Sequence, residues 1–145
     1  MTEIAPHLHQ SDVDYAREHG HEYDAILNVG CKKSIGQPQI IMKGQEPLAV
    51  YHIALYEYSV SEDTPDLIYQ PDSLLIAVVD LLDDLLKQGK KVLVHCDAGM
   101  VRSVGICAAW QKKSGLIEKF TDGLWSKPEH VNQNTLFRQL SRIYQ

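Results

Sequence analysis

The chain has 145 residues, 44% apolar and 23% charged, which is enough for one self-sufficient core and ordinary for a globular protein. Its net charge of −5, with lysines in isolated pairs and no basic stripe, argues against nucleic acid or an acidic membrane as partner. No apolar run approaches the ~20 residues that cross a bilayer, and MTEIAPHLHQSD lacks the basic and apolar regions of a secretory signal, so a cytoplasmic location is expected.

One domain over residues 1–145 is expected, since no repeat or linker divides the sequence. Ala25–Val29 (AILNV), closed by Gly30, has the form of a short buried strand. Residues 30–47 read as a loop with a short edge strand at Gln39–Met42, and Ala49–Leu55 (AVYHIAL) as a second strand. Glu57–Gln70 is polar and acidic and contains Pro65, so it is expected to be a loop. Pro71-Asp72-Ser73 then opens a helix with Leu74, Val78, Leu81, Leu82 and Leu85 on one face and Gly89 as the stop. Lys91–His95 (KVLVH) is apolar enough for a central strand. Arg102–Lys113 reads as a helix, with two further helical pieces at Ile117–Trp125 and Gln133–Tyr144. Strands alternating with helices predict an α/β fold, a mainly parallel central sheet flanked by helices.

Cys31, Cys96 and Cys107 are too few and too scattered for a disulfide framework or a zinc site, which directs attention to one reactive thiol. His95-Cys96-Asp97-Ala98-Gly99-Met100-Val101-Arg102-Ser103 lies between the third strand and a helix. A tight turn there gathers backbone N–H groups at a helix N-terminus, where an anion is favoured. The same field favours a thiolate at Cys96. Arg102 supplies a planar fork of donors for two phosphoryl oxygens, which lysine cannot imitate. His95 is expected to brace the loop, Ser103 to donate to the sulfur, and Asp97 to point outward. Asp97 through Val101, with Arg102, form the expected phosphate-binding backbone.

This motif, His-Cys, five residues including a glycine, then Arg-Ser, resembles the signature of the protein-tyrosine phosphatase superfamily. The short chain is similar to the dual-specificity branch, as are APHLHQSDVDYA, AILNV, KVLVHCDAGMVRS and VNQNTLFRQL. The chain departs from the branch at Leu8-His9-Gln10, where Leu-Tyr-Leu-Gly is common, and over residues 31–48. The resemblance implies a protein-tyrosine/dual-specificity phosphatase, and the Cys96–Arg102 spacing points to a cysteinyl-phosphate route without metal or cofactor. A monomer is expected by default, since nothing in the sequence demands a partner subunit. The resemblance also implies phosphoproteins as substrates, phosphotyrosine ahead of phosphoserine or phosphothreonine. Phosphoinositides or RNA 5′ phosphates are the alternative substrates, and a non-catalytic phosphoprotein-binding module is the rival class. The absence of lysine from residues 97–101 disfavours polyanions.

If the strands at 49–55 and 91–95 are parallel, their carboxyl ends share one edge, and the acidic loop 57–70 hangs over Cys96. Glu57, Glu62, Asp63 and Asp66 are its candidate proton donors. Alignment with the family selects Asp63, with Asp66 as second choice. Asn132 and Asn134 are similar to family asparagines near the loop. His7, His9, His19 and His21 read as surface residues, and Cys107, Trp110 and Phe120 as core.

Overall fold

The computed structural model describes residues 1–30, 41–61, 67–125 and 133–145. Its main sheet is built from β1 (Thr2–Ala5), β2 (Leu8–Ser11), β3 (Ala25–Asn28), β6 (Ala49–His52) and β7 (Val92–His95), in the order β1-β2-β7-β3-β6. β1 pairs antiparallel to β2, whereas the β2–β7, β3–β7 and β3–β6 pairings are all parallel. The expected mainly parallel sheet is therefore present, and β7 is its middle strand.

Burial follows the period of two that a strand imposes on its side chains. Ala25 and Leu27 of β3, with Val92 and Val94 of β7, enter the larger core. There they meet α2 (Asp72–Lys87), α3 (Arg102–Lys113) and α4 (Thr135–Ile143) through residues such as Leu75, Leu82, Ile106, Leu136 and Leu140. Ile26 and Leu93 face the other way and pack with Ala16 of α1 (Val13–His19) and with Tyr23. Because both faces are covered, these strands are apolar up to their last residues, Asn28 and His95, and show no polar alternation. Trp110 is also buried, and its indole N–H donates to Asp83 Oδ1 at 3.1 Å, tying α3 to α2. Among the described residues no helix is long and apolar enough to cross a membrane.

Three sequence expectations need correction. The edge strand expected at Gln39–Met42 is instead β4 (Met42–Lys43), paired with β5 (Glu46–Pro47) in a separate hairpin; residues 39 and 40 lie outside the described residues. Gly44, at φ +67°, allows the chain to reverse there. The strand expected over Ala49–Leu55 stops at His52, because its neighbour β3 ends at Asn28, whose carbonyl takes the last N–H, from Ile53. The helix expected over Ile117–Trp125 is only a 3-10 turn, Phe120–Gly123, closed by the Asp122 carboxylate accepting from the Lys119 N–H at 3.0 Å.

Candidate active site

Parallel pairing brings three strand ends to one edge, with Ser11 of β2 and Asn28 of β3 both in register with His95 of β7. The chain leaves β7 at Cys96 and turns through Asp97–Val101 into α3, so the loop lies outside the carboxyl ends of the strands, where open α/β sheets bind ligands. The N–H groups of Ala98, Gly99, Met100 and Val101 donate to no acceptor among the described residues. These four donors lie just before the N-terminus of a 12-residue helix, where the helix field favours an anion.

Cys96 opens this loop and is only 2% exposed, with the Ser103 hydroxyl 3.1 Å from its sulfur. His95 is buried, its Nδ1 3.0 Å from the Cys96 carbonyl. A carbonyl only accepts, so Nδ1 carries the proton. Burial lowers the His95 pKa below the usual imidazole value, so the ring braces the loop as a neutral donor. Cys107 is a second buried thiol, but burial pushes its pKa well up, leaving it protonated and part of the core. Cys31 lies outside the described residues.

Arg102 opens α3 with its side chain 14% exposed. Asp97, expected to point outward, instead folds back and accepts from Arg102 Nη2 at 2.7 Å. A half-buried carboxylate keeps its charge most cheaply beside a cation, and Arg102 is the cation within reach. The other Asp97 oxygen, Oδ1, is buried without a partner among the described residues. Ala98 and Met100 face solvent, Met100 at 67% exposure, while Gly99 is buried.

Residues 10–13 grip the loop from the side. The Val13 N–H donates to the Asp97 carbonyl at 3.0 Å, and the Gln10 side-chain amide donates to the Gly99 carbonyl at 2.8 Å. Gly99 is at φ +72°, and a Cβ there would lie 2.7 Å from the Asp12 nitrogen and 2.9 Å from the Ser11 carbonyl carbon. Both obstacles are backbone and cannot swing aside. Gly99→Ala should therefore push the loop off its seat and lower kcat/KM by about 100-fold, the scale of a 1 Å misplacement at a reacting centre. Steady-state kinetics alongside a melting curve tests this; unchanged kcat/KM would show that the close approach is irrelevant.

Asp63 and Asp66 lie outside the described residues, but both flanks of their loop are anchored. The Tyr58 N–H donates to Thr135 Oγ1 at 3.0 Å, and Asn134 Nδ2 donates to Glu57 at 2.7 Å. On the far flank Gln70 accepts from the Tyr56 N–H at 2.8 Å and donates to Gln139 Oε1 at 3.1 Å. Asn134 also caps α4 by accepting from the Leu136 and Phe137 N–H groups, while Asn132 lies outside the described residues. Glu57, one of the four candidate proton donors, is thus engaged by Asn134.

The grip of residues 10–13 was not legible from the sequence. A glutamine in a strand carries no local signal for what it touches, and only the departure from the family pattern at Leu8-His9-Gln10 marked the place. Asp12 caps α1, its side chain accepting from the Tyr15 N–H at 2.8 Å.

The model of the family "Dual specificity phosphatase, catalytic domain" matches residues 13–145. Similar solved structures include the tyrosine phosphatase OH1 from the Orf virus, described as having triple substrate specificity. It is 20% identical, with TM-score 0.67, over 99% of this chain and 86% of that one. The human tyrosine phosphatase-like serine/threonine/tyrosine-interacting protein is 19% identical, with TM-score 0.66, over 97% and 93%. Human DUSP28 is 15% identical, with TM-score 0.65, over 98% and 94%. At such identities the likeness speaks for the fold. The chain matches none of the curated proteins with which it was compared. The family match begins at α1, runs to the last residue and takes in the cysteine loop, so the chain belongs to the dual-specificity phosphatase catalytic-domain family, the cysteine-based phosphatases.

Proposed function

We propose that the chain hydrolyses phosphomonoesters of proteins in two steps, with Cys96 as nucleophile, and that phosphotyrosine is preferred over phosphoserine and phosphothreonine. The observation that carries this reading is a buried Cys96 sulfur 3.1 Å from a hydroxyl able to donate to it, in a residue followed, after Asp97, by four loop N–H groups without an acceptor among the described residues. In the first step the sulfur attacks phosphorus in line, an S–P bond forms and the ester P–O bond breaks. The loop N–H groups and the Arg102 N–H groups not engaged by Asp97 hold the equatorial oxygens. Asp63 gives its proton to the departing oxygen. In the second step a water attacks phosphorus, Asp63 takes its proton, and the S–P bond breaks. Ser103 then donates to the released sulfur. No metal or cofactor takes part in this scheme.

The protein-substrate reading is supported by a loop interior without lysine and by the exposed Ala98 and Met100, which offer no positive charge to a polyanion. Residues 1–145 are read as one catalytic unit acting as a monomer. Parallel assays on phosphopeptides, inositol phosphates and triphosphorylated RNA test the substrate class. Faster turnover of either non-protein substrate would overturn it.

Asp63→Asn should slow phenyl phosphate about 100-fold and p-nitrophenyl phosphate only about tenfold, because a good leaving group needs less protonation. Asp66→Asn should leave this dependence intact. Equal slowing of both substrates by Asp63→Asn, or the steep dependence moving to Asp66→Asn, would reassign the acid.

A further inference from the structure

We propose that Gln10 is a positioning residue for the cysteine chemistry, its side-chain amide setting the direction of the Ser103 hydroxyl so that the hydroxyl donates to the Cys96 sulfur. The inference rests on the reading of Cys96 as nucleophile. Gln10 lies on β2, 1% exposed, and Ser103 is fully buried in the first turn of α3. Gln10 Nε2 is 2.8 Å from the Gly99 carbonyl oxygen and 2.8 Å from Ser103 Oγ, with a longer 3.4 Å approach to the Ser11 carbonyl.

The Gly99 contact determines which end of the Gln10 amide faces the loop. A carbonyl oxygen can only accept, so the group of Gln10 facing Gly99 is the NH2 and not the oxygen. That NH2 has two hydrogens, one for Gly99 and one for Ser103 Oγ. Ser103 therefore accepts from Gln10 and keeps its single hydrogen for another partner, and Cys96 Sγ stands 3.1 Å away. Gln10 occupies an acceptor position on the hydroxyl, and its second hydrogen bond, to the Gly99 carbonyl, holds the amide in that orientation. The hydroxyl hydrogen is thereby left to turn toward the sulfur. The donated hydrogen bond counts most when negative charge returns to sulfur as the S–P bond breaks, so Gln10 acts on the second step.

The test uses Gln10→Met, which keeps length and removes the donor, with Gln10→Leu as a second variant should the first fold poorly. With p-nitrophenyl phosphate under rapid mixing, the burst that reports formation of the cysteinyl-phosphate should persist, and its breakdown should slow about tenfold. Ser103→Ala should show the same selective slowing, and adding Gln10→Met to Ser103→Ala should slow it no further. Further slowing in the double variant, or unchanged breakdown in Gln10→Met, would overturn the inference. A readout without turnover separates this from failure of the proposed chemistry. Iodoacetamide labelling of Cys96, read on its peptide by mass spectrometry, should fall alike in Gln10→Met and Ser103→Ala. If Gln10→Met leaves labelling unchanged while Ser103→Ala lowers it, Gln10 does not act through the hydroxyl, whatever the chain hydrolyses.

Discussion

Cys96→Ser should abolish hydrolysis of aryl phosphates, lowering kcat by about 10⁴-fold or more while leaving the fold intact. The substitution exchanges sulfur for a much weaker nucleophile at neutral pH and changes little in volume. The residue is in the core at the end of β7, beside Ser103, and the loop is held by contacts from residues 10–13 that do not involve the sulfur. Binding of an inorganic oxyanion such as tungstate should therefore survive, since its donors are backbone N–H groups and Arg102. Steady-state kinetics and tungstate calorimetry on the same preparation check both halves. Normal turnover in Cys96→Ser would remove the nucleophile from the account. Loss of tungstate binding with retained folding would mean that the sulfur helps shape the loop.

Arg102→Lys comes second, with an expected loss in kcat/KM of about 10³-fold despite the retained charge. A guanidinium offers five N–H donors in a plane, so Asp97 can engage Nη2 while the others remain for the phosphoryl group. A lysine ammonium has three N–H donors, but they diverge from a single nitrogen. Shared between Asp97 and a phosphoryl oxygen, it would satisfy neither in the two-oxygen geometry. The expected pattern is a fall in kcat together with a rise in KM, because the fork contributes to ground-state and transition-state binding alike. A Lys variant within about tenfold of the parent would show that charge alone suffices and that the fork is incidental.

Where a local pattern and the tertiary environment agree, the sequence reading was accurate. α3 was expected over Arg102–Lys113 and occupies those residues, because a turn-forming loop precedes it and Gly115, at φ +76°, follows its end. Pro71-Asp72-Ser73 and the leucine spacing likewise located α2, and the apolar run of β7 announced a strand covered on both faces. Shared strand ends were also foreseeable, since a helix joins β6 to β7 and both run parallel to β3. The Cys96–Ser103 contact was expected, and the loop returns the chain so that Ser103, in the first turn of α3, meets the sulfur.

The remainder depended on partners distant in sequence. β6 is shorter than its own residues allow, because β3 offers it nothing beyond Asn28. The orientation of Asp97 depends on Arg102 folding over the loop, which no residue type states in advance. Gln10 meets Gly99 and Ser103 across 89 and 93 residues of chain, and a polar residue in a buried strand says only that it needs a partner. Asn134 combines a local role, the cap of α4, with a distant one, the hydrogen bond to Glu57, and only the first is written nearby.

The proposed mechanism stands on transfer of the phosphoryl group to one sulfur. Mixing the protein with an excess of labelled aryl phosphate, quenching in acid within the first turnover and digesting should place the label on the peptide that contains Cys96, in an amount equal to the burst of released phenol. A burst with the label on any other peptide, or rapid turnover with no labelled protein at any quench time, would contradict it.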